Sequence, residues 1–563
     1  MLRRAAIVLA AAATLAPPAR ADTVELFPGV THDHAVSYTP HGAVVLDVVT
    51  APRPGEGNGL YRLAPVLAHG TISGGTERVS QLERELPTAS ATVGAGGDLF
   101  SPVDGHPSGI VLSGGTLAHP PLAGRSSIGV GEDGALHVDR VRFVGTWQGT
   151  GQRRPLASVN DVPAPGQVVL FTSAYGAHTP AAPGAAEAIF ASFPGATPNA
   201  ALTATVAATG SGGGEAIPPG GAVLMARGAA AAKLAAEAPA GTLVRSRLIL
   251  QPSWAGVASA LGGGPLLVRG GKAVFRSLED FTNDQLTART ARAAVGQLAD
   301  GRILLVTVDG GRPGYSVGLT SFELGQALVR LGAVTAAGLA PGDAVTLAAG
   351  GRVLNRPSGT AELPVKDALL VEYFGVVAPD PPVPLLNGDP GRTGEPLAYT
   401  VVRPSAVTAQ LVGPDGVARA LETGAHHEPG TVTVSQTAFD VEGTWHWNVT
   451  AVDDLGRSSS VDRTFRYDTT LRGLVVPRVA RGGETVSFTL TRPARVTLRI
   501  ESRGGVLVRE LAPLDLGAGA ATARWDGRLP LGSRAYGGAY VAHLLVTSDV
   551  GSSELSAPFR YRR

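Results

Sequence analysis

The chain of 563 residues contains no cysteine, which excludes disulfides, thiolate metal sites, iron–sulfur clusters and cysteine nucleophiles. Aromatic residues make up only 5% of the chain, and charged residues 17%. Glycine and proline, in contrast, are abundant, with 75 and 42 residues, and they separate short runs of valine, leucine and isoleucine. This pattern predicts many short strands joined by turns rather than a disordered chain.

The chain also lacks an excess of charge of either sign. It contains 47 lysine and arginine residues and 46 aspartate and glutamate residues, so the net charge is +1. We therefore expect no nucleic-acid partner, because such partners select a strongly basic surface. Beyond the N-terminal region no segment reaches about 18 consecutive apolar residues, and we expect no membrane span in the mature chain.

Residues 1–21 have the pattern of a signal peptide. Two arginines follow the initial methionine, and an apolar run spans residues 5–16. Ala19-Arg20-Ala21 then supplies the small-x-small pattern that signal peptidases recognise. We expect cleavage near Ala21 and an exported protein, whether extracellular, periplasmic or at the cell surface. An uncleaved membrane anchor is the alternative.

The remaining chain divides into blocks of different pattern. Residues 22–376 mix strand-like runs with helical spacing and predict an α+β domain; within it, Thr320 and Glu323 form a capping-box pattern that predicts a helix ending at Gly332. Residues 377–390 are rich in proline and predict an extended linker. Residues 391–470 alternate with period two and lack helical spacing, which predicts an immunoglobulin-like β-sandwich.

The last block, residues 471–563, predicts a second all-β sandwich and carries a specific resemblance. The runs Ala523-Arg524-Trp525-Asp526-Gly527 and Gly538-Ala539-Tyr540 resemble the immunoglobulin-like domain of the flagellar-hook-cap type, a module attached to many exported bacterial enzymes. We expect Trp525 to fill the core of this sandwich. The resemblance implies a spacer or a binding module.

Standard catalytic signatures are missing: the chain has no G-x-S-x-G elbow, no P-loop and no H-E-x-x-H motif. His32 and His34 would share one face of a strand and could chelate a metal ion. Without a third ligand we interpret them as a solvated pair. The sequence therefore predicts neither a metal nor another cofactor.

Three stretches, read together, resemble the phosphodiester glycosidase family. The first runs from residues 61–63 through 92–100 to 107–109 and 125–129, and the second joins residues 261–265 to 292–296. The third is residues 307–320, of which Asp309–Thr320 is the most specific motif. The similarity spans nearly all of residues 30–375. The family includes the enzyme that removes N-acetylglucosamine from phosphodiester-linked mannose, so the resemblance implies a hydrolase whose partner is a glycan or glycosyl phosphodiester, with an association with the cell envelope.

The resemblance also implies a set of site residues. Cleavage of a glycosyl phosphodiester develops positive charge at the anomeric carbon, and the implied catalytic carboxylates are Asp309 and Asp98, each next to glycine at a strand end. Turn formation is the alternative role of both. Arg312 and Arg125 would grip the phosphodiester through paired N–H donors. The implied substrate-binding set is completed by Ser316, Asn355, Ser358 and Arg292.

The sequence departs from the family pattern at two places expected to line the pocket. Gly96 stands where the family has asparagine, and the family's Asp-Gly-Gly-Gly-Ser segment is replaced by Ala340-Pro341-Gly342-Asp343-Ala344. Proline removes an amide donor, so a glycine-built anion cradle cannot form unchanged. Asp343 could substitute from a shifted turn. Two functions follow: an exported phosphodiester glycosidase-like hydrolase with an altered active site, or a non-catalytic carbohydrate- or envelope-binding protein.

Overall fold

A computed structural model gives the fold and describes residues 23–381, 385–387, 395–436, 439 and 441–562. The predicted signal peptide lies outside the described residues, as do residues 382–384 and 388–390 of the predicted linker. The chain divides into two compact units, Met1–Phe374 and Gly375–Arg563. No helix in the described residues is long and apolar enough to cross a membrane.

The first unit is built mainly from strands, as its glycine-punctuated apolar runs predict. Its helices are short: α1 (Glu56–Gly59), α2 (Val79–Glu85), α3 (Ala229–Glu237), α4 (Asn283–Thr287) and α5 (Ser321–Arg330). Its strands are β1 (Thr23–Phe27), β2 (Val30–Thr39), β3 (Gly42–Ala51), β4 (Tyr61–Leu67), β5 (Thr92–Gly96), β6 (Val111–Ser113), β7 (Thr116–His119), β8 (Ser127–Gly131), β9 (Leu136–Asp139), β10 (Arg142–Gln148), β11 (Arg154–Leu156), β12 (Ser158–Val159), β13 (Val168–Thr172), β14 (Ala181–Phe190), β15 (Ala201–Thr205), β16 (Ala208–Gly213), β17 (Ala222–Ala226), β18 (Leu243–Gln251), β19 (Val257–Gly262), β20 (Leu266–Arg269), β21 (Lys272–Ala273), β22 (Arg292–Leu298), β23 (Ile303–Val308), β24 (Ala333–Gly338), β25 (Leu347–Ala349), β26 (Arg352–Val353) and β27 (Asp367–Tyr373).

Two sheets of this unit carry the predicted site residues. The larger has the order β1-β2-β3-β23-β22-β24-β20-β21, and the other has the order β26-β25-β5-β27-β4. The remaining strands form sheets β11-β10-β18-β15, β12-β13-β17-β14-β16 and β7-β6-β19-β8-β9. Antiparallel pairing of β3 with β23 places Asp47 opposite Thr307, although the two residues are far apart in sequence.

Helix α5 fixes which face of the large sheet is apolar. Thr320 caps the helix and Glu323 bonds back to the cap, so the predicted capping box is confirmed. Leu324 and Leu328 of α5 pack against Val306 and Val308 of β23 in one buried cluster. Because side chains alternate along a strand, Thr307 and the following Asp309 face away from the helix. The opposite face of β23 therefore carries Thr307 and Asp309, beside the buried Ile303 and Leu305.

The second unit is all β in its described residues. Its strands are β28 (Leu385–Asn387), β29 (Glu395–Val401), β30 (Ser405–Val412), β31 (Ala418–His427), β32 (Gly430–Gln436), β33 (Gly443–Asp453), β34 (Ser458–Asp468), β35 (Leu471–Val475), β36 (Val479–Arg481), β37 (Glu484–Leu490), β38 (Ala494–Ser502), β39 (Leu507–Glu510), β40 (Leu514–Leu516), β41 (Gly519–Trp525), β42 (Gly538–Thr547) and β43 (Ser552–Arg562). One buried cluster surrounds Trp445 and Trp447, and another surrounds Trp525. Trp525 is 0% exposed, which confirms its predicted core position.

Candidate active site

Asp309 follows directly after β23, and backbone and side-chain contacts fix its position. Its N–H donates to the Val45 carbonyl oxygen at 3.1 Å. The Ser316 hydroxyl donates to the Asp309 carbonyl oxygen at 2.5 Å and accepts the Val45 N–H at 3.1 Å. Ser316 is fully buried, so it ties the turn to β3, and its hydroxyl is engaged within the protein.

The Asp309 carboxylate is a buried acceptor for three surrounding groups. The Tyr315 hydroxyl donates to Oδ2 at 2.9 Å, and Asn355 Nδ2 donates to Oδ1 at 3.0 Å. The Arg356 backbone N–H lies 3.2 Å from Oδ1 and 3.0 Å from Oδ2. Burial raises the pKa of Asp309 above its ordinary value, these donors oppose the rise, and the nearby Asp47 carboxylate adds to it.

Tyr315 and Arg356 form the outer side of this cluster. Burial, followed by the hydrogen bond to Asp309, raises the pKa of Tyr315 to about 12, so the phenol is a neutral donor at ordinary pH. The Arg356 guanidinium lies 4.8 Å from the centre of the Tyr315 ring. Arg356 is exposed, and no other described side chain forms an ion pair with it. The site therefore presents an uncompensated cation beside a buried carboxylate, an arrangement suited to an anionic ligand.

A second buried carboxylate, Asp47, belongs to the same cluster. It is 0% exposed in the middle of β3, and its charge raises the pKa of both Asp309 and Tyr315. Its Oδ1 accepts His32 Nε2 at 2.9 Å and His34 Nδ1 at 2.8 Å. The interpretation of the two histidines as a solvated pair was wrong: they do share one strand face, but a neighbouring strand supplies the buried acceptor that binds both. No group of three or more metal-ligating side chains occurs among the described residues.

Arg312 and Ser358 lie in the loops beside Asn355. Arg312 Nη2 donates to the carbonyl oxygens of Pro357 at 2.8 Å and Gly359 at 2.5 Å. Arg312 thus holds the loop that follows Asn355 and Arg356, and this guanidinium nitrogen is not free for a substrate. The Ser358 hydroxyl is buried and has no partner among the described residues. Arg312, Asn355 and Arg356 line an open cavity of about 510 Å³.

Asp98 lies in a different and more enclosed cluster. Its Oδ1 pairs with Arg125, which is 5% exposed, and its N–H donates to Asp367 Oδ1 at 2.7 Å. Burial, with the Asp98 charge second, raises the pKa of Asp367 to about 8. A Cβ built on Gly262 would lie 2.0 Å from Asp98 Oδ2, so the backbone of this glycine packs directly against that oxygen. No hydrogen bond or ion pair in the described residues joins Asp98 to Asp309.

Arg292 also has internal partners. Its Nε donates to the Leu319 carbonyl oxygen at 2.7 Å, and Nη2 donates to the Ala288 carbonyl oxygen at 2.9 Å. Burial lowers the pKa of Arg292 to about 10. The structure therefore brings Asp309, Ser316 and Asn355 together, places Arg312 and Ser358 beside them, and puts Asp98, Arg125 and Arg292 among other partners.

The two sequence departures from the family pattern meet in space. A Cβ on Gly96 would lie 2.6 Å from the Ala344 carbonyl oxygen, so no larger residue fits at position 96 without movement of this segment. The Ala340 N–H donates to the Gly97 carbonyl oxygen at 2.8 Å. Ala340 and Ala344 are both buried. The change at position 96 and the change at 340–344 are therefore one coupled structural change.

Three members of the Asp309 cluster were missed from the sequence, namely Asp47, Tyr315 and Arg356, and His34 was interpreted only as part of a solvated pair. Asp47 could have been noticed as a single charge within the apolar run Val44–Val49, since a buried charge needs partners. Tyr315 lies inside the motif of residues 309–320, and Arg356 directly follows the predicted site residue Asn355. Only their side-chain directions, which the fold determines, distinguish them.

Comparisons with known proteins agree with the motif-based resemblance. A phosphodiester glycosidase family model matches residues 196–372. This segment contains Asp309, Tyr315, Asn355 and Arg356, whereas Asp98 precedes it. The resemblance to the phosphodiester glycosidase family is therefore confirmed over this segment. No curated protein matches the chain.

A solved structure shares the fold over a larger part of the chain than the family model matches. A protein from Synechocystis matches at 24% identity with a TM-score of 0.52, covering 63% of this chain and 64% of its own. At this identity the match establishes a common fold, and the chain spans less than two thirds of that protein. A protein from Burkholderia pseudomallei K96243, described as exported, matches at 22% identity and a TM-score of 0.47, covering 59% and 74%. The catalytic domain of zebrafish N-acetylglucosamine-1-phosphodiester alpha-N-acetylglucosaminidase matches at 12% identity and a TM-score of 0.34, covering 62% and 83%.

Proposed function

We propose that the first unit hydrolyses glycosyl phosphodiesters, the sugar-1-phosphodiester linkages of glycans or envelope polymers. The observation that carries this proposal is the Asp309 carboxylate, held by Tyr315, Asn355 and the Arg356 N–H, beside the uncompensated Arg356 guanidinium. The family match of residues 196–372, which contain this cluster, supports it.

The groups divide the chemistry between them. The phosphodiester is an anion and a good leaving group, so a cation that binds it serves catalysis more than a strong general acid does. Arg356 supplies that cation at the exposed rim, and Tyr315 supplies a neutral hydroxyl donor. Asp309 is only 1% exposed, so we assign it a positioning role: it orients Tyr315 and places negative charge near the oxocarbenium-like centre.

The test measures release of reducing sugar from an α-N-acetylglucosaminyl 1-(methyl phosphate). Arg356→Ala should raise KM by roughly 10- to 100-fold, since a hydrogen bond to a charged group contributes about 1.5–3 kcal/mol. Arg352→Ala is the matched control, because Arg352 is exposed and close in sequence. No turnover by the wild type, or an equal effect of both variants, would contradict the proposal.

One observation favours a non-catalytic carbohydrate-binding protein instead. The segment that replaces the family's glycine cradle contributes the buried, apolar side chains of Ala340 and Ala344. Calorimetry separates the two functions: a binding protein takes up an uncleaved sugar phosphodiester with 1:1 stoichiometry and releases no reducing sugar during the titration.

The proposal for the whole chain includes export and two accessory domains. Residues 1–21 would direct export, and residues 391–470 and 471–563 would form immunoglobulin-like sandwiches around the Trp445/Trp447 and Trp525 clusters, the second of the flagellar-hook-cap type. They would act as spacers or envelope-binding modules after the 377–390 linker. N-terminal sequencing of the exported protein tests cleavage near Ala21, and limited proteolysis tests whether a fragment ending near residue 375 stays folded.

A further inference from the structure

His34 has the geometry of an imidazole oriented for proton transfer. Its Nδ1 lies 2.8 Å from Asp47 Oδ1. An ionised carboxylate only accepts, so Nδ1 carries the hydrogen and Nε2 of the neutral ring has a free lone pair. The His34 side chain is 49% exposed while Asp47 is 0% exposed. A buried carboxylate thus fixes the tautomer of an imidazole that reaches solvent, which is the arrangement found in catalytic Asp–His pairs.

His32 differs from His34 in a way that makes it an internal control. It binds the same Asp47 oxygen through Nε2, at 2.9 Å, and its side chain is only 13% exposed. The two rings therefore present opposite nitrogens away from the carboxylate. Only the more exposed ring, His34, offers Nε2 to a solvent-side ligand.

Sheet geometry places His34 and Asp309 on the same face of the large sheet. Neighbouring strands lie about 4.8 Å apart, and His34 on β2 is two strands from β23 and two residues along the strand direction from Asp309, so the two backbones are separated by roughly 12 Å. Asp47 on the intervening β3 is opposite both His34 and Thr307.

Two buried polar atoms on the sheet face between these strands lack hydrogen-bond partners among the described residues. Asp47 Oδ2 and Thr307 Oγ1 are both buried and have no hydrogen-bond partner among the described residues. They lie opposite each other in the β3–β23 pairing, on the face that also carries Asp309. Buried polar atoms without partners are rare in folded proteins, and here they lie between His34 and the Asp309 cluster.

We propose that His34, oriented by Asp47, is the general base that activates water at this site. The inference rests on the proposed glycosyl phosphodiester hydrolysis and adds a catalytic residue to it. Asp47 is a positioning residue, since it acts through the imidazole. His34 shares Asp47 with His32 on the sheet, and the Asp47 charge in turn acts on Asp309 and Tyr315.

The bonds and protons of this step balance. Water oxygen forms a bond to the anomeric carbon, and the bond from that carbon to the phosphate oxygen breaks. His34 Nε2 takes one proton from the water, and the phosphomonoester leaves as an anion beside Arg356. The imidazolium returns its proton to solvent through its exposed edge.

The activity test compares three histidine variants on the α-N-acetylglucosaminyl 1-(methyl phosphate) between pH 5 and 9. His34→Gln should lower kcat by roughly 100-fold and leave KM unchanged. Added imidazole should restore part of the rate. His41→Gln, a variant of an exposed residue of the same hairpin, should stay near the wild type, whereas His32→Gln, which removes the second donor to Asp47, should lower kcat less than His34→Gln does. A His34→Gln variant within about threefold of the wild-type kcat overturns the inference.

A second readout does not need turnover. Side-chain nitrogen–proton spectra of the full mature chain should show His34 in its Nδ1–H tautomer, and Asp47→Asn should abolish this preference while His41 is unchanged. A non-cleavable sugar phosphonate should shift the His34 Nε2 resonance and not that of His41. If the wild type releases no sugar, the proposed hydrolase function fails; if His34 does not respond to the phosphonate, the inference about His34 is overturned.

Discussion

Asp309 and Asp98 are two buried aspartates of the same unit, and each closely follows a strand, yet their surroundings differ. Asp98 is 2% exposed and pairs with Arg125, which is itself 5% exposed. Asp309 is 1% exposed, but its partners Tyr315 and Arg356 extend to the surface. Burial alone therefore does not distinguish a structural carboxylate from one at a site.

What distinguishes them is where the compensating positive charge lies. The Arg125 guanidinium is enclosed with Asp98 and contacts the Phe281 ring at 5.0 Å from its centre. Such a buried pair is costly to break and offers nothing to a ligand. The carboxylate of Asp309 is instead satisfied by neutral donors, so Arg356 keeps its charge for an incoming anion. We infer a structural role for Asp98 and a functional role for the Asp309 cluster.

The largest effect should come from breaking the enclosed pair. Arg125→Met leaves Asp98 buried without its cation and should lower the free energy of unfolding by about 3–5 kcal/mol. The double variant Arg125→Met/Asp98→Asn removes both charges and should recover most of the loss. Urea unfolding of the three proteins measures this. If Arg125→Met is as stable as the wild type, the ion pair of Asp98 and Arg125 does not stabilise the fold and the structural role inferred for Asp98 is wrong.

Next in size is the effect of Asp309→Asn on catalysis. The amide keeps one acceptor oxygen but turns an NH₂ group toward donors, and it removes the negative charge. We expect kcat to fall by roughly 10²- to 10³-fold, with a loss of about 1–3 kcal/mol in stability from the unmatched donor. Rates measured well below the melting temperature separate the two effects. An activity loss no larger than the loss of folded protein would make Asp309 a turn former.

The local elements of this fold could be predicted from the sequence. Strands β4, Tyr61–Leu67, and β23, Ile303–Val308, are each an apolar run flanked by breakers, which is the pattern that predicts a strand. The cap of α5 was predicted because Thr320 and Glu323 are three residues apart, and this spacing is itself the physical cause. Signals of this kind act over a few residues and are visible in the sequence.

The composition of the site depends on long-range pairing and could be predicted only in part. Asp309 and Asn355 were found through the family motif, whereas Asp47 and His34 join them only because β3 pairs with β2 on one side and β23 on the other. Asp98 has the same local pattern as Asp309, a carboxylate beside glycine at a strand end. It belongs to another sheet, and no periodicity in the sequence indicates which sheet a strand will join.

A smaller effect concerns the coupled departures beside the enclosed cluster. Gly96→Asn alone should lower stability by about 1–3 kcal/mol, because its Cβ would press on the Ala344 carbonyl oxygen. Gly114→Asn is the control, since its Cβ would meet nothing within 4 Å, although its positive φ adds some strain. Restoring asparagine therefore requires a redesigned 340–344 segment at the same time. A fully stable single variant would show that the segment moves freely and that the two departures are independent.

The last effect, at most about 1.4 kcal/mol per pH unit, is a pH dependence of stability in the Asp98 cluster. The pKa of Asp367 is raised to about 8 in the folded chain, against about 3.9 in an unfolded one. Between these two pKa values the folded state holds a proton that the unfolded state has lost. The contribution of Asp367 to the free energy of unfolding is therefore complete below about pH 4 and is lost as the pH rises toward 8.

Asp367→Asn keeps an acceptor for the Asp98 N–H and cannot titrate. The free energy of unfolding of this variant should therefore fall less steeply with pH than that of the wild type, and the two slopes should differ by at most about 1.4 kcal/mol per pH unit. Urea unfolding at pH 5, 6, 7 and 8 measures both slopes, with Asp343→Asn, an aspartate on the loop beside the cluster, as the matched control. Parallel slopes for wild type and Asp367→Asn would mean that the enclosed carboxylates are ionised throughout, and the contrast with the Asp309 cluster would then rest on exposure alone.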